Sequence, residues 1–376
     1  MRGRGAGDGY ARAVPERQLP RLPQPRLRRA VVIGAGSFGT AVAVLLARGG
    51  TRTTLQARTA EQAERLADER RNDVYLPGVE LPRDLRVEPM TAGLAAAHVV
   101  FLAVPSHGLD EVIRSLTARG LGPRTAVVSL SKGLVPPDGR APSVVLREHF
   151  SAERVAVVGG PAHAREMVHE GAGLVAASTS EDLAGALQGM FIRAGVVCEL
   201  SADPVGVELA GAAKNAAALA AGATEAQGLN AAGAAAGHIF AEVWRYAERL
   251  GARPESLIGL AGTGDLVATA LAPQSRNRRA GELLAEGVPS AEIPARIGQA
   301  VESLESVPLL AHALADAGVD APVTTGLAEL IGGGLPLADW VGLVRTTVPP
   351  PARFPRVKRP SPPGFWRRLI ARLRRR

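Results

Sequence analysis

The chain has 376 residues, enough for two domains of roughly 150 residues each, and its one cysteine, Cys198, excludes an internal disulfide. The formal charge of +8 comes from the ends, because residues 1–29 carry +6 and residues 349–376 carry +10, which leaves −8 on the remainder. This distribution excludes a basic nucleic-acid-binding surface on the folded body, and the cysteine content fits the reducing cytoplasm, where we expect the protein to act.

Both ends of the chain have the composition of disordered segments. We predict a disordered basic tail at residues 1–29 and a basic, Pro/Arg-rich tail at residues 348–376. The N-terminus lacks the apolar stretch of a secretory signal, and no charge-free apolar run reaches the ~18 residues of a membrane span. Residues 365–376, FWRRLIARLRRR, could form a basic amphipathic helix that contacts a membrane surface, and a solvated tail is the alternative.

The first predicted element is a buried strand at residues 30–33, followed directly by GAGSFG and a helix over residues 40–47. Gly34 permits the tight turn, Gly36 lets backbone N–H groups approach a pyrophosphate, and Gly39 lets the helix pack on the strand. In this context of strand, turn and helix, the motif predicts dinucleotide binding.

The second predicted strand, residues 53–57, ends in Arg58 and Thr59. An acid at this place normally hydrogen-bonds the ribose of NAD, whereas a guanidinium suits the 2′-phosphate of NADP. The sequence therefore favours NADP over NAD, with an exposed loop arginine as the alternative.

Five further buried strands are predicted at residues 98–104, 126–130, 155–158, 173–177 and 196–200. The fold expected for residues 30–202 is thus α/β, an N-terminal Rossmann-type doubly wound sheet. Ligands bind beyond the carboxyl ends of such strands, which places Lys132 in the cleft. His107 follows the strand at 98–104, and we expect it to pack near the nicotinamide, a catalytic role being the alternative.

Residues 203–347 have a helical pattern and are predicted to form an all-helical C-terminal domain that supplies the substrate and catalytic groups. Its helices are expected at residues 205–222, 231–250, 254–260, around Gly281, 291–297, 301–317, 322–331 and 337–344.

One of these helices, VGVELAGAAKNAAALAAG, contains Lys214 as its only cation. Among 44 Lys and Arg residues, only Lys132, Lys214 and Lys358 are lysine, and Lys358 lies in the basic tail. An ammonium in an apolar helix is costly unless it is paired or used, and Lys can be tuned toward neutral pH as Arg cannot. Lys214 is therefore a candidate general acid/base and Lys132 a candidate binding charge, with incidental surface lysines as the alternative.

Two polar segments of the helical part are candidate binding elements. The segment AGTGDL presents Asp265 in a loop beside glycines, and SRNRR at residues 275–279 places three guanidiniums around Asn277. An arginine fork with an amide suits a phosphate, and a solvated basic helix start is the alternative. No Cys/His cluster has metal-binding spacing, so no metal is expected.

Taken in order, a series of motifs resembles the bacterial-type NAD(P)-dependent glycerol-3-phosphate dehydrogenase family over about residues 30–345: GAGSFGTA, VYLPGV, AVPSH, SKGL, GGPAHARE, GAAKN, AGTGDL, QSRNRR and GQAVES. The resemblance implies hydride transfer between NAD(P)H and dihydroxyacetone phosphate, which gives sn-glycerol 3-phosphate for phospholipid synthesis. A homodimer is expected.

The resemblance also implies a role for each site residue, with Lys214 as the general acid/base on the substrate oxygen. The substrate would be bound by Lys132, Gly160, Lys214, Asp265, Ser275, Arg276 and Asn277. The cofactor would be bound by Gly34, Gly36, Ser37, Phe38, Gly39, Arg58, Lys132, Ala164, Arg276, Ala300 and Glu302.

Several positions depart from the family's pattern, namely Gln56, Ala162, which removes a hydroxyl, His163, which replaces an aromatic residue, His238 and Ser303. None of them removes the expected acid/base or the phosphate-binding residues. Two alternative functions remain open. One is a dehydrogenase of the same architecture for another phosphorylated or acidic hydroxy compound, and the other is a non-catalytic NADP-binding protein docked by its basic tails.

Overall fold

Strands and helices alternate in the first part of the protein, and helices alone follow. The computed structural model describes residues 27–272 and 275–348. The strands are β1 (Arg29–Ile33), β2 (Arg52–Ala57), β3 (Arg86–Pro89), β4 (Val99–Leu102), β5 (Ala126–Ser129), β6 (Val155–Gly159), β7 (Gly173–Ala177) and β8 (Val197–Ser201). The helices of the first part are α1 (Ser37–Arg48), α2 (Ala60–Glu69), α3 (Leu109–Ala118), α4 (Pro142–His149), α5 (Ala164–His169) and α6 (Glu181–Arg193). The helices of the second part are α7 (Pro204–Ala223), α8 (Leu229–Arg249), α9 (Pro254–Ile258), α10 (Asp265–Leu271), α11 (Arg276–Ala285), α12 (Ile293–Ile297), α13 (Glu302–Asp316), α14 (Pro322–Ile331) and α15 (Leu337–Thr346).

Within the described residues the strands form a single sheet in the order β3-β2-β1-β4-β5-β6-β7-β8. All neighbouring pairs are parallel except β6 and β7. Ile33 at the end of β1 pairs with Gln56 of β2 and Leu102 of β4, so these strands end at one edge of the sheet. The predicted Rossmann-type doubly wound sheet followed by a helical domain is confirmed, and the strand order reverses between β1 and β4, where dinucleotides bind.

Three details differ from the sequence prediction. The sheet has an unpredicted strand, β3, which is short and only partly buried, so its pattern lacks an apolar run. Strand β7 runs antiparallel to β6, a pairing that the apolar pattern alone does not specify. The segment predicted as a loop at 261–266 is helical: a single wide turn at Leu260–Gly264 continues into α10 at Asp265.

Helix α7 is the centre of the helical part and is buried along almost its whole length. Alanine has the highest helix propensity, and Pro204 occupies a first-turn position where its missing N–H costs nothing. The side chain of Asp203 caps the helix by accepting a hydrogen bond of 2.8 Å from the Gly206 N–H. Local sequence therefore fixes where this helix begins.

Small residues let α11 pack against the backbone of α7. A Cβ atom at Gly281 would lie 2.0 Å from the Leu219 carbonyl oxygen, and one at Gly222 would lie 2.0 Å from that of Arg278. Real Cβ atoms do not come so close, so both glycines are required by the helix crossing. The crossing holds the start of α11 beside the middle of α7.

Among the residues that the structure describes, no single helix is long and apolar enough to cross a membrane. Two consecutive segments, Pro254–Leu271 and Arg276–Ala285, satisfy the length and composition criteria only when joined across a 62° bend.

Strand β1 begins at Arg29, one residue before its predicted start. Of the tails predicted at 1–29 and 348–376, residues 1–26 and 349–376, including the amphipathic segment 365–376, lie outside the described residues.

Candidate active site

The glycine turn between β1 and α1 has the shape that a dinucleotide needs. Gly34 has a φ of +112°, and a Cβ there would lie 2.3 Å from the Ala103 carbonyl oxygen. A Cβ at Gly39 would lie 2.1 Å from the Gly34 oxygen, whereas one at Gly36 would meet no atom within 4 Å. Gly34 and Gly39 are thus required by the fold, and the open space at Gly36 faces the cleft and leaves room for a pyrophosphate at the uncapped start of α1. The residues present fit a bound NAD(P).

Arg58 follows the last residue of β2 and is exposed. Its neighbour Thr59 is occupied in capping α2, because its hydroxyl accepts a hydrogen bond of 3.1 Å from the Gln62 N–H. Neither position offers a carboxylate for the ribose. The end of β2 therefore offers a guanidinium and no carboxylate, as the sequence indicates, and the preference for NADP stays a prediction.

A cleft of about 1710 Å³ extends from the glycine turn to Lys214. Most of the predicted site residues line it: Gly36, Ser37, Phe38, Gly39, Lys132, Ala164, Lys214, Ser275, Arg276, Asn277, Ala300 and Glu302. Gly160 and Asp265 lie beside Lys132 and line a smaller adjoining cavity. Gly34 and Arg58 line neither the cleft nor this cavity. Gly34 packs against Ala103, directly after β4, and Arg58 directly follows β2.

Two lysines meet at one buried carboxylate. Lys132, three residues beyond β5, donates to Asp265 Oδ2 at 2.7 Å and to the Gly160 carbonyl at 3.1 Å. Lys214 Nζ lies 3.6 Å from Asp265 Oδ1, and both side chains are almost completely buried. Because Asp265 starts α10 while Lys132 follows the sheet, this cluster joins the two parts of the protein.

The surroundings of Lys214 tune its proton affinity. Burial is the largest cause that lowers the pKa of the Lys214 ammonium, and the neighbouring Lys132 acts in the same direction. Asp265 and Glu302 oppose the change, and the resulting pKa is about 8. Burial alone would raise the pKa of Asp265, but the charges of Lys132 and Lys214 outweigh it and hold that pKa below its usual value. The site thus contains a stable carboxylate and an amine that exchanges its proton near neutral pH.

Asn215 connects the cluster to the phosphate-binding segment. Its amide Nδ2 donates to Glu302 Oε2 at 3.2 Å and to the Lys132 carbonyl at 3.4 Å. Its Oδ1 accepts a hydrogen bond of 2.9 Å from Asn277, whose own Oδ1 accepts one of 3.4 Å from the Ser303 N–H. Asn277 is therefore held in place by protein groups, and its position beside Lys214 is fixed.

The three guanidiniums in SRNRR differ in their partners. Arg278 pairs with Glu225 and Glu282, and Arg279, which also lines the cleft, pairs with Glu282 and Glu286. Arg276 has no carboxylate partner among the residues that the structure describes and donates instead to the Gln299 side chain at 3.2 Å and the Ala300 carbonyl at 3.0 Å. The predicted fork of three guanidiniums is thus reduced to Arg276.

Ser275 and two histidines complete the description of the predicted site. Ser275 caps α11, since its hydroxyl accepts a hydrogen bond of 3.3 Å from the Arg278 N–H. His163 lines the cleft beside buried Ala162, and burial lowers its pKa, with Lys214 and Lys132 acting in the same direction. His107 is exposed and its Nδ1 lies 2.9 Å from Glu305 Oε2 on α13, so it bridges the two parts rather than contacting Lys214.

Sequence reasoning missed the bridging role of Asn215 and the presence of His163 in the charged cluster. Thr269, whose hydroxyl donates to Asp265 Oδ1 at 3.4 Å, was also missed. Helical spacing from Asp265 to Thr269 would have suggested this last contact, had α10 been predicted. Among the described residues, no group of three His, Cys, Asp or Glu side chains could hold a metal ion.

A glycine turn at the switch point of a Rossmann sheet, joined by one cleft to a buried lysine on a separate helical domain, defines an NAD(P)-dependent dehydrogenase. Residues 29–184 match the family described as NAD-dependent glycerol-3-phosphate dehydrogenase N-terminus, and residues 203–342 match its C-terminus. The chain belongs to the NAD-dependent glycerol-3-phosphate dehydrogenase family.

Curated relatives and a solved structure agree with this membership. The chain is 39% identical over 320 residues to glycerol-3-phosphate dehydrogenase (NAD(P)+) of Methylococcus capsulatus, covering 82% of this chain and 94% of the relative. It is 40% identical over 317 residues to the enzyme of the same name from Deinococcus radiodurans, covering 82% and 92%. The crystal structure of glycerol-3-phosphate dehydrogenase from Coxiella burnetii superimposes with a TM-score of 0.80 at 29% identity, covering 86% of this chain and all of the other.

Proposed function

We propose that the protein reduces dihydroxyacetone phosphate to sn-glycerol 3-phosphate with NAD(P)H, reversibly, and so supplies glycerophospholipid synthesis. The observation that carries the proposal is the meeting of Lys132, Asp265 and Lys214 in one cluster beside the cleft that the glycine turn also lines. The names of the relatives support the substrate, and the cluster supports a reaction that needs one proton.

Lys214 would act as the general acid in the direction of reduction. The bound cofactor supplies the hydride that forms the new C–H bond. As the carbonyl C=O bond becomes a C–O single bond, the Lys214 ammonium gives its proton to that oxygen and is left as a neutral amine, which regains a proton from solvent. A pKa of about 8 suits both directions near neutral pH.

Asp265 and Lys132 would orient and polarise the reacting groups. The carboxylate of Asp265 holds both ammonium groups, so neither needs to reorganise when charge develops on the substrate oxygen. Lys132 also lies 5.8 Å from the ring centroid of Phe38, which lines the cofactor end of the cleft. Lys132 would therefore lie between the cofactor and the substrate.

The phosphate of the substrate would be bound by Arg276 and Asn277 at the start of α11, with Ser275 and Gly160 as further contacts. Arg276 is the one guanidinium of SRNRR without a carboxylate partner in the described residues, so it can exchange its loop contacts for a phosphate. Ala164, Ala300 and Glu302 line the same cleft and would contact the cofactor. NADP would be preferred over NAD through Arg58.

We further propose a two-domain organisation with boundaries at 30–202 and 203–347, a homodimer, and a cytoplasmic location. Contact of the C-terminal tail with membranes belongs to the same set of proposals, and this tail lies outside the described residues. A liposome pull-down that compares the full chain with one ending at Val348 tests the membrane contact, and equal binding to anionic vesicles would exclude it.

Oxidation of NADPH and of NADH by the purified protein with dihydroxyacetone phosphate tests the function. Lys214→Ala should reduce turnover by about 10²-fold or more, the usual scale for a lost general acid. Near-normal turnover in this variant would contradict the role of Lys214. Binding of NADPH without reduction of dihydroxyacetone phosphate would instead favour a non-catalytic protein, and reduction of another phosphorylated or acidic carbonyl compound would favour a relative with a different substrate.

A further inference from the structure

Helix α7 carries a second buried ionisable group, Glu208. Its Oε1 accepts a hydrogen bond of 2.8 Å from the Ser143 N–H, and its Oε2 lies 2.5 Å from the Ser143 hydroxyl. Ser143 is in the first turn of α4, directly after Pro142, where backbone N–H groups have no partner within the helix. Glu208 therefore caps a helix of the Rossmann part from a helix of the catalytic part.

The contacts of Glu208 continue along one face of α7. Residues 208, 211 and 215 are spaced i, i+3 and i+7, which places them on the same side of a helix. A Cβ at Gly211 would lie 3.7 Å from the Lys132 Cβ, so the helix backbone packs directly on Lys132. At 215 the asparagine amide donates to the Lys132 carbonyl. This face of α7 therefore contacts the Rossmann part at residues 208, 211 and 215.

We propose that Glu208 is a positioning residue for catalysis, which sets the rotation of α7 so that the Lys214 amine stays at Asp265. The proposal rests on the proposed role of Lys214. Since Lys214 adjoins Asn215, a rotation of α7 about its axis would move the amine out of contact with the carboxylate. Holding a catalytic group in place matters greatly, because a misplacement of about 1 Å can cost about 10²-fold in rate.

The electrostatics indicate that Glu208 acts through its hydrogen bonds and not through charge. Burial is the largest cause that raises the pKa of Glu208, and Asp203 acts in the same direction. The hydrogen bonds from Ser143 and the charge of Arg147 oppose the change, and the resulting pKa is about 8. Lys132 and Asp265 line the same small cavity as Glu208. At neutral pH the carboxyl is therefore largely protonated, and a glutamine, which is neutral and has the same shape, should replace it.

The helical part offers a matched control, Glu242 of α8. This buried carboxylate accepts hydrogen bonds from the N–H groups of Val323 at 3.1 Å and Thr324 at 2.8 Å, directly after Pro322 at the start of α14. It makes the same kind of contacts as Glu208, to backbone N–H groups and a hydroxyl at the start of a helix, and it lines neither the cleft nor the cavity beside Lys132. Glu208→Leu and Glu242→Leu both remove a buried helix cap, but only the first touches the catalytic face of α7.

Two measurements compare Glu208→Leu, Glu208→Gln and Glu242→Leu with wild type. The first is kcat with dihydroxyacetone phosphate and NADPH. The second is the pH dependence of Lys214 acetylation, measured by peptide mass spectrometry. The chain has three lysines, so the Lys214 peptide is easily assigned, and the measurement needs no turnover. We expect Glu208→Leu to lower kcat by about tenfold or more, with little change in the KM for NADPH. It should also move the midpoint of Lys214 acetylation to lower pH, because the buried amine loses its contact with the Asp265 carboxylate, which raises its pKa. Glu208→Gln should stay within about threefold of the wild-type kcat, the margin for a preserved geometry.

Equal kcat and equal acetylation midpoints in Glu208→Leu and Glu242→Leu would overturn the proposal, whatever their melting temperatures. Should Glu208→Leu not fold, Ser143→Ala and the matched Thr324→Val replace the pair with the same expected contrast. A wild-type protein that does not reduce dihydroxyacetone phosphate would reject the proposed function, whereas the acetylation midpoints would still decide the positioning of Lys214.

Discussion

Replacing Asp265 by asparagine should shift the pH range in which the protein reduces its substrate. The change keeps the shape of the side chain and removes the negative charge 3.6 Å from the Lys214 ammonium. At an effective dielectric constant of about 20, charges at this separation interact by roughly 4 to 5 kcal/mol. Because about 1.4 kcal/mol corresponds to one pKa unit, and solvent relaxation takes back part of the effect, the Lys214 pKa should fall by about one to three units.

The direction of the effect follows from which form of Lys214 is active. Reduction needs the ammonium, so its rate is high below the Lys214 pKa of about 8 and falls as the pH rises through it. In Asp265→Asn this fall should begin at lower pH. At pH 7 reduction should drop by about twofold for a shift of one unit and by about tenfold for a shift of two units, and it should recover in part on acidification. Oxidation of sn-glycerol 3-phosphate needs the neutral amine and should persist to lower pH than in wild type.

The assay is the initial rate of NADPH consumption, or of its formation in the reverse direction, over a range of pH. Circular dichroism and the melting temperature establish that each variant is folded. Glu242→Gln, which neutralises a buried carboxylate away from both lysines, is the control and should leave the pH profile unchanged. A profile in Asp265→Asn with the wild-type midpoint, or one shifted to higher pH, would refute the reasoning.

Three further predictions concern binding. Gly36→Ala should leave the melting temperature nearly unchanged and raise the KM for NADPH, because a Cβ there meets no protein atom within 4 Å. Gly39→Ala should lower the melting temperature, because a Cβ there lies 2.1 Å from a carbonyl oxygen. Thermal unfolding and cofactor titration distinguish the two variants. Arg276→Gln should raise the KM for dihydroxyacetone phosphate by about tenfold or more, the scale of a lost charged hydrogen bond. Arg278→Gln removes a guanidinium already paired with glutamates and should change that KM by less than about threefold. Equal effects of the two variants would contradict the role of Arg276 in binding the phosphate. Arg58→Asp should lower the ratio of kcat/KM for NADPH over NADH by about tenfold or more, and an unchanged ratio would remove Arg58 from cofactor selection.

Local patterns were enough to predict most of the strands and the glycine turn. The strand, glycine turn and helix around Gly34 to Gly39 follow from neighbouring residues, because Gly34 and Gly39 answer steric needs within a few residues or near the adjacent strand, while Gly36 leaves open space. The buried strands were equally visible as apolar runs. Strand β3 was not, since its residues Arg86–Pro89 are partly exposed and gain strand geometry only by pairing with β2.

The substrate end was predictable in its residues but not in its contacts. Which guanidinium of SRNRR stays available depends on Glu225, from the turn before α8, and on Glu286 beyond the end of α11. Asn215 joins segments that are far apart in the chain, so no spacing rule reveals its hydrogen bonds. Glu208 is different. The argument that singled out Lys214, a charged group in an apolar helix, applies equally to this carboxylate and would have found it.

The alanine and glycine content of α7 is a requirement of the active site and not only of a well-packed core. A Cβ at Gly211 would just touch Lys132, at 3.7 Å, so a side chain larger than alanine would push the helix away from it. Any side chain at Gly222 would push α11, with Arg276 and Asn277, away from the helix. Each displacement would separate groups that the reaction needs within hydrogen-bonding distance of one another. Small side chains bring the three segments together, and the polar side chains of α7 then fix their positions. In the proposed mechanism, the few polar residues and the many small ones in this helix therefore serve together to place Lys214 between the start of α11, where we propose that phosphate binds, and the sheet.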